Sequence, residues 1–223
     1  MLKFDAVLFD CDGVLVDSEP LTNGVLRDML EEAGWKLSSA ECMRLFIGKA
    51  VKDEIAIIEA NTGRPLTAEW LDEFRGRRNE ALVEGLLPIL GAVEAVALIH
   101  ELYDGRIACG SGADRFKVEL QLEKCGLMPY FKGRIFSGHE LPRSKPAPDV
   151  YLAAAAALGV DPKRCAVVED TVTGVTAGVA AGATVLGYSP PEAGHDAPEA
   201  LRQAGAIAIF TDMAVLANLL AAK

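Results

Sequence analysis

The sequence lacks three features that mark common classes of protein. Acidic residues outnumber basic ones, 32 to 22, and the formal net charge of −10 leaves no basic field to attract a nucleic acid. No apolar run approaches the roughly 20 residues of a membrane span. The chain reaches an acidic residue, Asp5, too early for a signal peptide. We therefore expect a cytoplasmic protein that binds neither nucleic acid nor membrane.

Cysteine is absent from the arrangements that would give it a structural role. The chain has five cysteines, and none of them shows the CxxC spacing of zinc sites and redox motifs. Most lie in apolar or helical segments, where a free thiol packs as a small apolar side chain. The sequence therefore predicts reduced cysteines, with no disulfide framework and no zinc site.

Short apolar runs alternate with segments of helical length along most of the chain. This alternation predicts an α/β fold with a doubly wound, Rossmann-like parallel sheet. Hydrophobic residues make up 51% of the 223 residues, which is ample for its core. The predicted strands are Ala6–Phe9, Arg106–Cys109, Arg134–Phe136, Cys165–Val168, Thr184–Leu186 and Ile207–Phe210.

The interval between the first two strands is far longer than one crossover connection requires. Its apolar residues follow helical spacing, with glycine and proline between the segments, so it is predicted to be entirely helical. We interpret it as a cap domain inserted after the first strand. The predicted domains are an α/β catalytic core of residues 1–15 and 89–223 and a helical cap of residues 16–88.

Two aspartates follow the first predicted strand directly. Asp10 and Asp12 are separated by one residue and are followed by Gly13, a turn residue. Carboxylates in this position do not help the strand to pack, but they can hold a divalent cation and a nucleophile together. The spacing also begins an EF-hand loop, but Val14 occupies the next ligand position and excludes that interpretation.

Later strands also end in polar residues. Ser111 and Gly112 follow the second strand, Lys145 lies in the loop after the third, and Glu169 and Asp170 follow the fourth. Because the carboxyl ends of parallel strands meet at one edge of a sheet, these groups are expected to converge on Asp10 and Asp12. Acids, a lysine and a glycine-flanked serine are the groups that phosphoryl transfer requires.

These four motifs, in this order, resemble those of the haloacid dehalogenase-like hydrolase superfamily. The helical insertion resembles the cap of its beta-phosphoglucomutase-like and sugar-phosphatase branch. The resemblance implies that Asp10 is the nucleophile and forms an aspartyl-phosphate. It implies that Asp12 protonates the leaving alcohol and then takes a proton from water. Ser111 and the Gly112 amide are expected to hold phosphate oxygens, and Lys145 is expected to supply positive charge.

The resemblance also implies a magnesium cofactor. Mg²⁺ would be held by the side chains of Asp10 and Asp170 and by the backbone carbonyl of Asp12, with Glu169 assisting directly or through water. In the cap, Gly48 and Lys49 resemble a substrate-specificity loop, and Arg78 lies in a basic stretch of a later helix. These residues are expected to contact the sugar part of a substrate.

One position departs from the pattern of the branch. Its mutases carry a histidine where this chain has Thr22, and that histidine couples cap closure to proton transfer. The resemblance therefore favours a phosphatase acting on a sugar phosphate or sugar-acid phosphate, possibly 6-phosphogluconate, over a beta-phosphoglucomutase. A magnesium-independent dehalogenase and a phospho-accepting signalling or binding protein are further alternatives. The expected partner is a small phosphorylated metabolite, and the expected state is a monomer or weak homodimer.

Overall fold

The computed structural model describes residues 2–191 and 196–221. Six strands form a single sheet among these residues, and every neighbouring pair is parallel, in the order β3-β2-β1-β4-β5-β6. The sheet confirms the predicted α/β class with a doubly wound parallel sheet. The strands are β1 (Ala6–Phe9), β2 (Ile107–Ser111), β3 (Ile135–Ser137), β4 (Cys165–Glu169), β5 (Thr184–Tyr188) and β6 (Ala208–Phe210).

Strands β2, β3, β4 and β5 continue beyond their predicted ends, and β2 and β4 thereby include candidate site residues. Strand β2 reaches Ser111, which pairs with Ser137 of β3, and β4 reaches Glu169, which pairs with Gly187 of β5. The sequence-based boundaries stopped earlier because they followed apolar side chains, whereas backbone hydrogen bonds continue regardless of side-chain polarity. The candidate site residues at these ends are thus part of the sheet and share its rigidity.

The chain separates into two compact units, Ser18–Leu86 and the combination of Met1–Asp17 with Leu87–Lys223. We refer to them as the helical unit and the core unit. The helical unit contains α1 (Glu19–Glu32), α2 (Ser39–Phe46), α3 (Ile55–Thr62) and α4 (Ala68–Gly85).

Local signals place the helices of the helical unit. Ser38 and Glu41 form a reciprocal capping box at the start of α2, and the Thr67 hydroxyl accepts a hydrogen bond from the Trp70 amide at the start of α4. A short 3-10 turn (Val51–Asp53) precedes the third helix, which begins at Ile55.

The core unit places its helices between and after the strands. They are α5 (Ala92–Leu102), α6 (Arg115–Lys124), α7 (Met128–Phe131), α8 (Asp149–Ala157), α9 (Val172–Ala180), α10 (Pro198–Ala204) and α11 (Leu216–Ala221). Helices α7 and α11 were not predicted, because four and six residues are too short to show helical periodicity. No helix among the described residues combines the length and the apolar content needed to cross a membrane.

Both faces of the sheet are buried, as a parallel sheet requires. On one face Ala6 and Leu8 of β1 join a cluster with apolar residues of α8, α9 and α10. The opposite face includes Phe9, whose ring packs edge-on against Phe131 of α7 at 5.9 Å. Each fully buried side chain of this size contributes about 1.5–3 kcal/mol of hydrophobic stabilisation. This packing fixes the central strand whose carboxyl end carries the two aspartates.

Candidate active site

The predicted site residues of the core unit follow the carboxyl ends of adjacent strands. Asp10 follows β1 at the centre of the sheet, and its amide donates a hydrogen bond to the Val168 carbonyl of β4 at 3.0 Å. Ser111 ends β2 and Glu169 ends β4, on the two sides of β1. Asp10, Ser111, Glu169 and Asp170 are all buried. The strand order, with β1 between β2 and β4, therefore brings the motifs to one edge.

Lys145 connects the acids of β1 and β4. Its ammonium nitrogen lies 2.5 Å from Asp10 Oδ1 and 2.6 Å from Glu169 Oε1, and its side chain is only 7% exposed. The ammonium also lies 4.8 Å from the centre of the Tyr151 ring. A lysine desolvated to this degree needs such partners, because burial without them would favour the neutral amine.

Glu169 accepts hydrogen bonds on both carboxylate oxygens. Oε1 accepts from Lys145 and from the Tyr151 hydroxyl, which lies at 2.8 Å. Oε2 accepts from the Asp170 amide at 3.0 Å and from the Thr171 amide and hydroxyl, both at 3.2 Å. These bonds hold the carboxylate firmly and leave it oriented toward Lys145.

Three of the acids can hold a metal ion. One carboxylate oxygen from each of Asp10, Glu169 and Asp170 lies within 4.8 Å of the other two. All-oxygen donor sets of this kind suit hard divalent cations such as Mg²⁺. Lys145 forms ion pairs with two of the three carboxylates, those of Asp10 and Glu169.

Gly13 makes room for this acidic cluster. Its φ angle is +78°, and a Cβ atom added here would lie 2.1 Å from Asp170 Oδ2. Only glycine combines this backbone conformation with so close an approach. The Asp170 carboxylate therefore lies directly against the turn that follows Asp10 and Asp12, where the sequence analysis placed the cation. The residues present fit a divalent cation.

The electrostatics of the cluster depend on its charge balance. Burial raises the pKa of Asp10, as do Glu169 and Asp170, and Lys145 only partly offsets them. For Lys145, burial favours the neutral amine, but Asp10 and Glu169 outweigh it and raise the pKa well above its usual range. The lysine is thus a fixed cation, and the surplus charge lies on the acids.

Asp12 has a different set of partners from Asp10. Its Oδ1 accepts hydrogen bonds from Lys117 Nζ at 2.7 Å and from Gln121 Nε2 at 2.8 Å, both on α6. The Cys11 thiol in turn donates to Gln121 Oε1 at 3.5 Å. Cys11, between the two aspartates, therefore points away from the acidic cluster and toward the helix.

The predicted phosphate-holding loop lies between β2 and α6. The Ala113 amide donates to Ser111 Oγ at 3.0 Å, and the Ser137 hydroxyl of β3 donates to the Ala113 carbonyl at 2.6 Å. Gly112 has open space around it, since a Cβ atom there would meet only Ser144 Oγ, at 3.7 Å. The loop is fixed by its own hydrogen bonds and by the neighbouring strand.

The remaining predicted residues belong to the helical unit. Gly48 has a positive φ of +66° just after α2, and Lys49 forms a half-exposed ion pair with Glu54 at 3.4 Å. Arg78 is buried, with its guanidinium 6.0 Å from the Phe74 ring and bonded to Asn79 Oδ1. Arg78 therefore takes part in the packing of its own helix α4.

Sequence analysis missed three residues that contact the predicted acids, namely Lys117, Gln121 and Tyr151. Lys117 and Gln121 lie four residues apart on α6, beside the buried Val118 and Leu122. Two polar residues within the buried stripe of a helix indicate a buried polar contact, because their side chains must find hydrogen-bond partners inside the protein. Tyr151 offers a weaker signal, since a tyrosine in a buried stripe usually means packing alone.

The chain was compared with known proteins. The model of a family described as haloacid dehalogenase-like hydrolase matches residues 4–182. The chain is 29% identical over 186 residues to 6-phosphogluconate phosphatase of Escherichia coli, covering 83% of each protein. It is 34% identical over 194 residues to hexitol phosphatase B of the same organism, covering 86% of each.

A solved structure resembles the chain over nearly its whole length. It is a HAD family hydrolase from Deinococcus radiodurans with bound phosphate and sodium. The two chains are 37% identical, with a TM-score of 0.79, and the match covers 98% of this chain and 96% of the other. The similarity thus extends through the helical unit as well as the core unit.

Proposed function

The chain belongs to the haloacid dehalogenase-like hydrolase family, and on that premise we propose that it is a magnesium-dependent phosphatase of a sugar phosphate or sugar-acid phosphate. The family and the phosphatase relatives identify it as a phosphoric monoester hydrolase. Relatives named for 6-phosphogluconate and for hexitol phosphates support the substrate class.

One observation carries the proposal, namely the bridge from Lys145 to Asp10 and Glu169 beside Asp170. A phosphate dianion is repelled by an acidic site unless positive charge is fixed there first. Lys145 supplies one fixed charge, and its two carboxylate partners hold it in place. The surplus charge of the acids fits a Mg²⁺ held by Asp10, Asp170 and the backbone carbonyl of Asp12. When bound, Mg²⁺ adds Lewis-acid stabilisation of the phosphoryl oxygens.

Glu169 is the residue whose expected role changes. Its oxygens accept five hydrogen bonds, two of them from Lys145 and Tyr151. We propose that Glu169 mainly holds Lys145 in position. Its negative charge also favours binding of the cation.

The reaction proceeds in two steps on the side chains of Asp10 and Asp12. The Asp10 carboxylate attacks phosphorus, the bond from phosphorus to the substrate oxygen breaks, and Asp12 gives its proton to the leaving alcohol. A water molecule then gives a proton to Asp12 and attacks the aspartyl-phosphate, which releases inorganic phosphate and restores the Asp10 carboxylate. In this mechanism Ser111 and the Gly112 amide hold phosphate oxygens during both steps.

Thr22, in the first turn of α1, favours hydrolysis over the mutase alternative. A mutase must protect its phosphoenzyme from water until the second substrate arrives. With threonine in place of the mutase histidine, that control is lost. A beta-phosphoglucomutase would interconvert sugar phosphates without releasing inorganic phosphate, so the product distinguishes the two.

The decisive experiment is a phosphate-release screen over a panel of sugar phosphates and sugar-acid phosphates that includes 6-phosphogluconate. We expect Mg²⁺-dependent release by the wild type and a loss of at least about 10³-fold in Asp10→Asn, because the nucleophile is removed. Asp5→Asn is the matched control, since Asp5 precedes the same strand and pairs with Arg164 at the surface. Full activity in Asp10→Asn would contradict the mechanism.

A further inference from the structure

The partners of Asp12 lie outside all four of the motifs that the sequence analysis identified. Lys117 and Gln121 are 105 and 109 residues away from Asp12 in the chain, yet both donate to its Oδ1. Lys117 is 6% exposed and Gln121 is fully buried. A lysine is seldom buried to this degree unless it is paired, and Asp12 supplies a carboxylate partner at 2.7 Å.

The local structure aims both side chains at Asp12. The Asp114 side chain caps α6 by accepting the Lys117 amide at 2.9 Å, which starts the helix close behind the Ser111 loop. Residues 117 and 121 are four apart and therefore share one face of the helix. That face meets the turn that follows β1.

Cys11 decides which end of the Gln121 amide meets Asp12. Its buried thiol donates to Gln121 Oε1 at 3.5 Å. The amide oxygen is therefore engaged on the Cys11 side, and the NH₂ group faces the carboxylate. The contacts run from Cys11 through Gln121 to Asp12, and all of these residues belong to the core unit.

We propose that Lys117 and Gln121 are positioning residues for Asp12: they hold its Oδ1, so that Oδ2 carries the proton in both steps of the reaction. The inference rests on the proposed phosphatase function and extends it. An oxygen that accepts from both an ammonium and an amide has its lone pairs committed, so protonation takes place at the other oxygen. A carboxylate held in one orientation also needs less reorganisation in the transition state.

The test uses the leaving group. In a two-step reaction, kcat/KM reports only the steps up to departure of the alcohol. An alkyl oxygen or phenoxide needs a proton as it leaves, whereas p-nitrophenolate leaves without one. Wild type, Lys117→Met and Gln121→Glu are assayed on the best alkyl phosphate of the screen, on phenyl phosphate and on p-nitrophenyl phosphate.

For Lys117→Met we expect kcat/KM on the alkyl phosphate to fall by about 10- to 100-fold, the range expected for a misplaced catalytic group. The kcat/KM on phenyl phosphate should fall less, and the kcat/KM on p-nitrophenyl phosphate should stay at the wild-type value. Gln121→Glu keeps the size of the side chain but replaces the NH₂ donor, and it should show the same order of losses. Lys117→Arg restores a cationic donor and should recover part of the activity.

Lys124→Met is the matched control, because Lys124 lies exposed in the last turn of the same helix. Thermal melting of each variant separates unfolding from mispositioning. Equal losses on all three substrates, or wild-type kcat/KM on the alkyl phosphate in both Lys117→Met and Gln121→Glu, overturn the positioning role. A wild type that releases no phosphate from any monoester contradicts the proposed function itself, and the positioning role with it.

Discussion

Asp10 and Asp12 are separated by a single residue, but they lie in different electrostatic surroundings. Asp10 shares one lysine with Glu169 and lies beside Asp170, so its surroundings are rich in negative charge. Asp12 has a lysine and an amide as hydrogen-bond partners on one oxygen, which balances its charge. Both aspartates lie in the turn after β1, which directs Asp10 toward Lys145 and Glu169 and Asp12 toward α6.

The difference separates the two proposed roles. The proposed cation would bring the charge of the Asp10 site into balance, which suits a nucleophile that must meet a phosphate dianion. The Asp12 site is already balanced and held, which suits a group that passes a proton back and forth. In the proposed mechanism the two lysines have different roles, because Lys145 serves the phosphate and Lys117 serves the proton carrier.

The largest expected effect comes from replacing each aspartate in turn. Asp10→Asn should lose activity on every substrate, whereas Asp12→Asn should lose about 10²- to 10⁴-fold on alkyl phosphates, the usual contribution of general acid–base catalysis. On p-nitrophenyl phosphate, Asp12→Asn should keep most of its kcat/KM, because that leaving group needs no proton. Steady-state kinetics of both variants on an alkyl phosphate and on p-nitrophenyl phosphate measure this difference. Identical losses in the two variants would remove the distinction between the aspartates.

Removal of the cation should come next in size. Chelation is expected to lower activity at least about 100-fold, since several kcal/mol of transition-state stabilisation is lost, and added Mg²⁺ should restore it. The Asp170→Asn variant should require a higher Mg²⁺ concentration than the wild type for half-maximal activity. Asp196→Asn is the matched control, because Asp196 accepts a hydrogen bond from Val172 at the start of α9 and lies outside the three-acid cluster.

The same cation should also stabilise the fold, in a way that depends on pH. The raised pKa of Asp10 means that the cation-free folded protein holds this proton more tightly than the unfolded chain. Its stability therefore falls as the pH rises from the ordinary carboxyl pKa through the raised one. Mg²⁺ at 100 times its Kd adds about 2.7 kcal/mol to the free energy of unfolding. Because Mg²⁺ binds the ionised carboxylate of Asp10, its effect on Tm should be larger at neutral than at acid pH. A Tm shift that is equal at both would contradict the charge excess around Asp10.

The smallest effect is expected from Tyr151→Phe. It removes the hydroxyl bonded to Glu169 but keeps the ring beside Lys145, at a cost of about 1 kcal/mol of stability. Because this contact lies on the Asp10 side, a modest loss of activity should be equal for alkyl and p-nitrophenyl phosphates. Tyr130→Phe is the control, since its ring packs against His100, away from the acids. A loss confined to alkyl phosphates would place Tyr151 on the Asp12 side.

Much of the core could be predicted because its signals are local. The apolar run Ala6–Phe9 is both the predicted and the observed first strand, and the acids, serine and lysine of the motifs all follow strands that the pattern identified. Parallel strands must then bring these residues to one edge. Helices α7 and α11 were missed because their few residues show no periodicity.

The order of residues along the chain was enough to indicate the α/β class, the strand ends and the acids that follow them, because these depend on periodicity within a few residues. Tertiary structure alone decided that Lys117 and Gln121 meet Asp12 and that Tyr151 meets Glu169. The strand order places β1 between β2 and β4, and the packing on this sheet brings α6 to Asp12 and α8 to Glu169. The two contacts of Asp12 span more than a hundred residues and arise from that packing, and no local pattern identifies the partners.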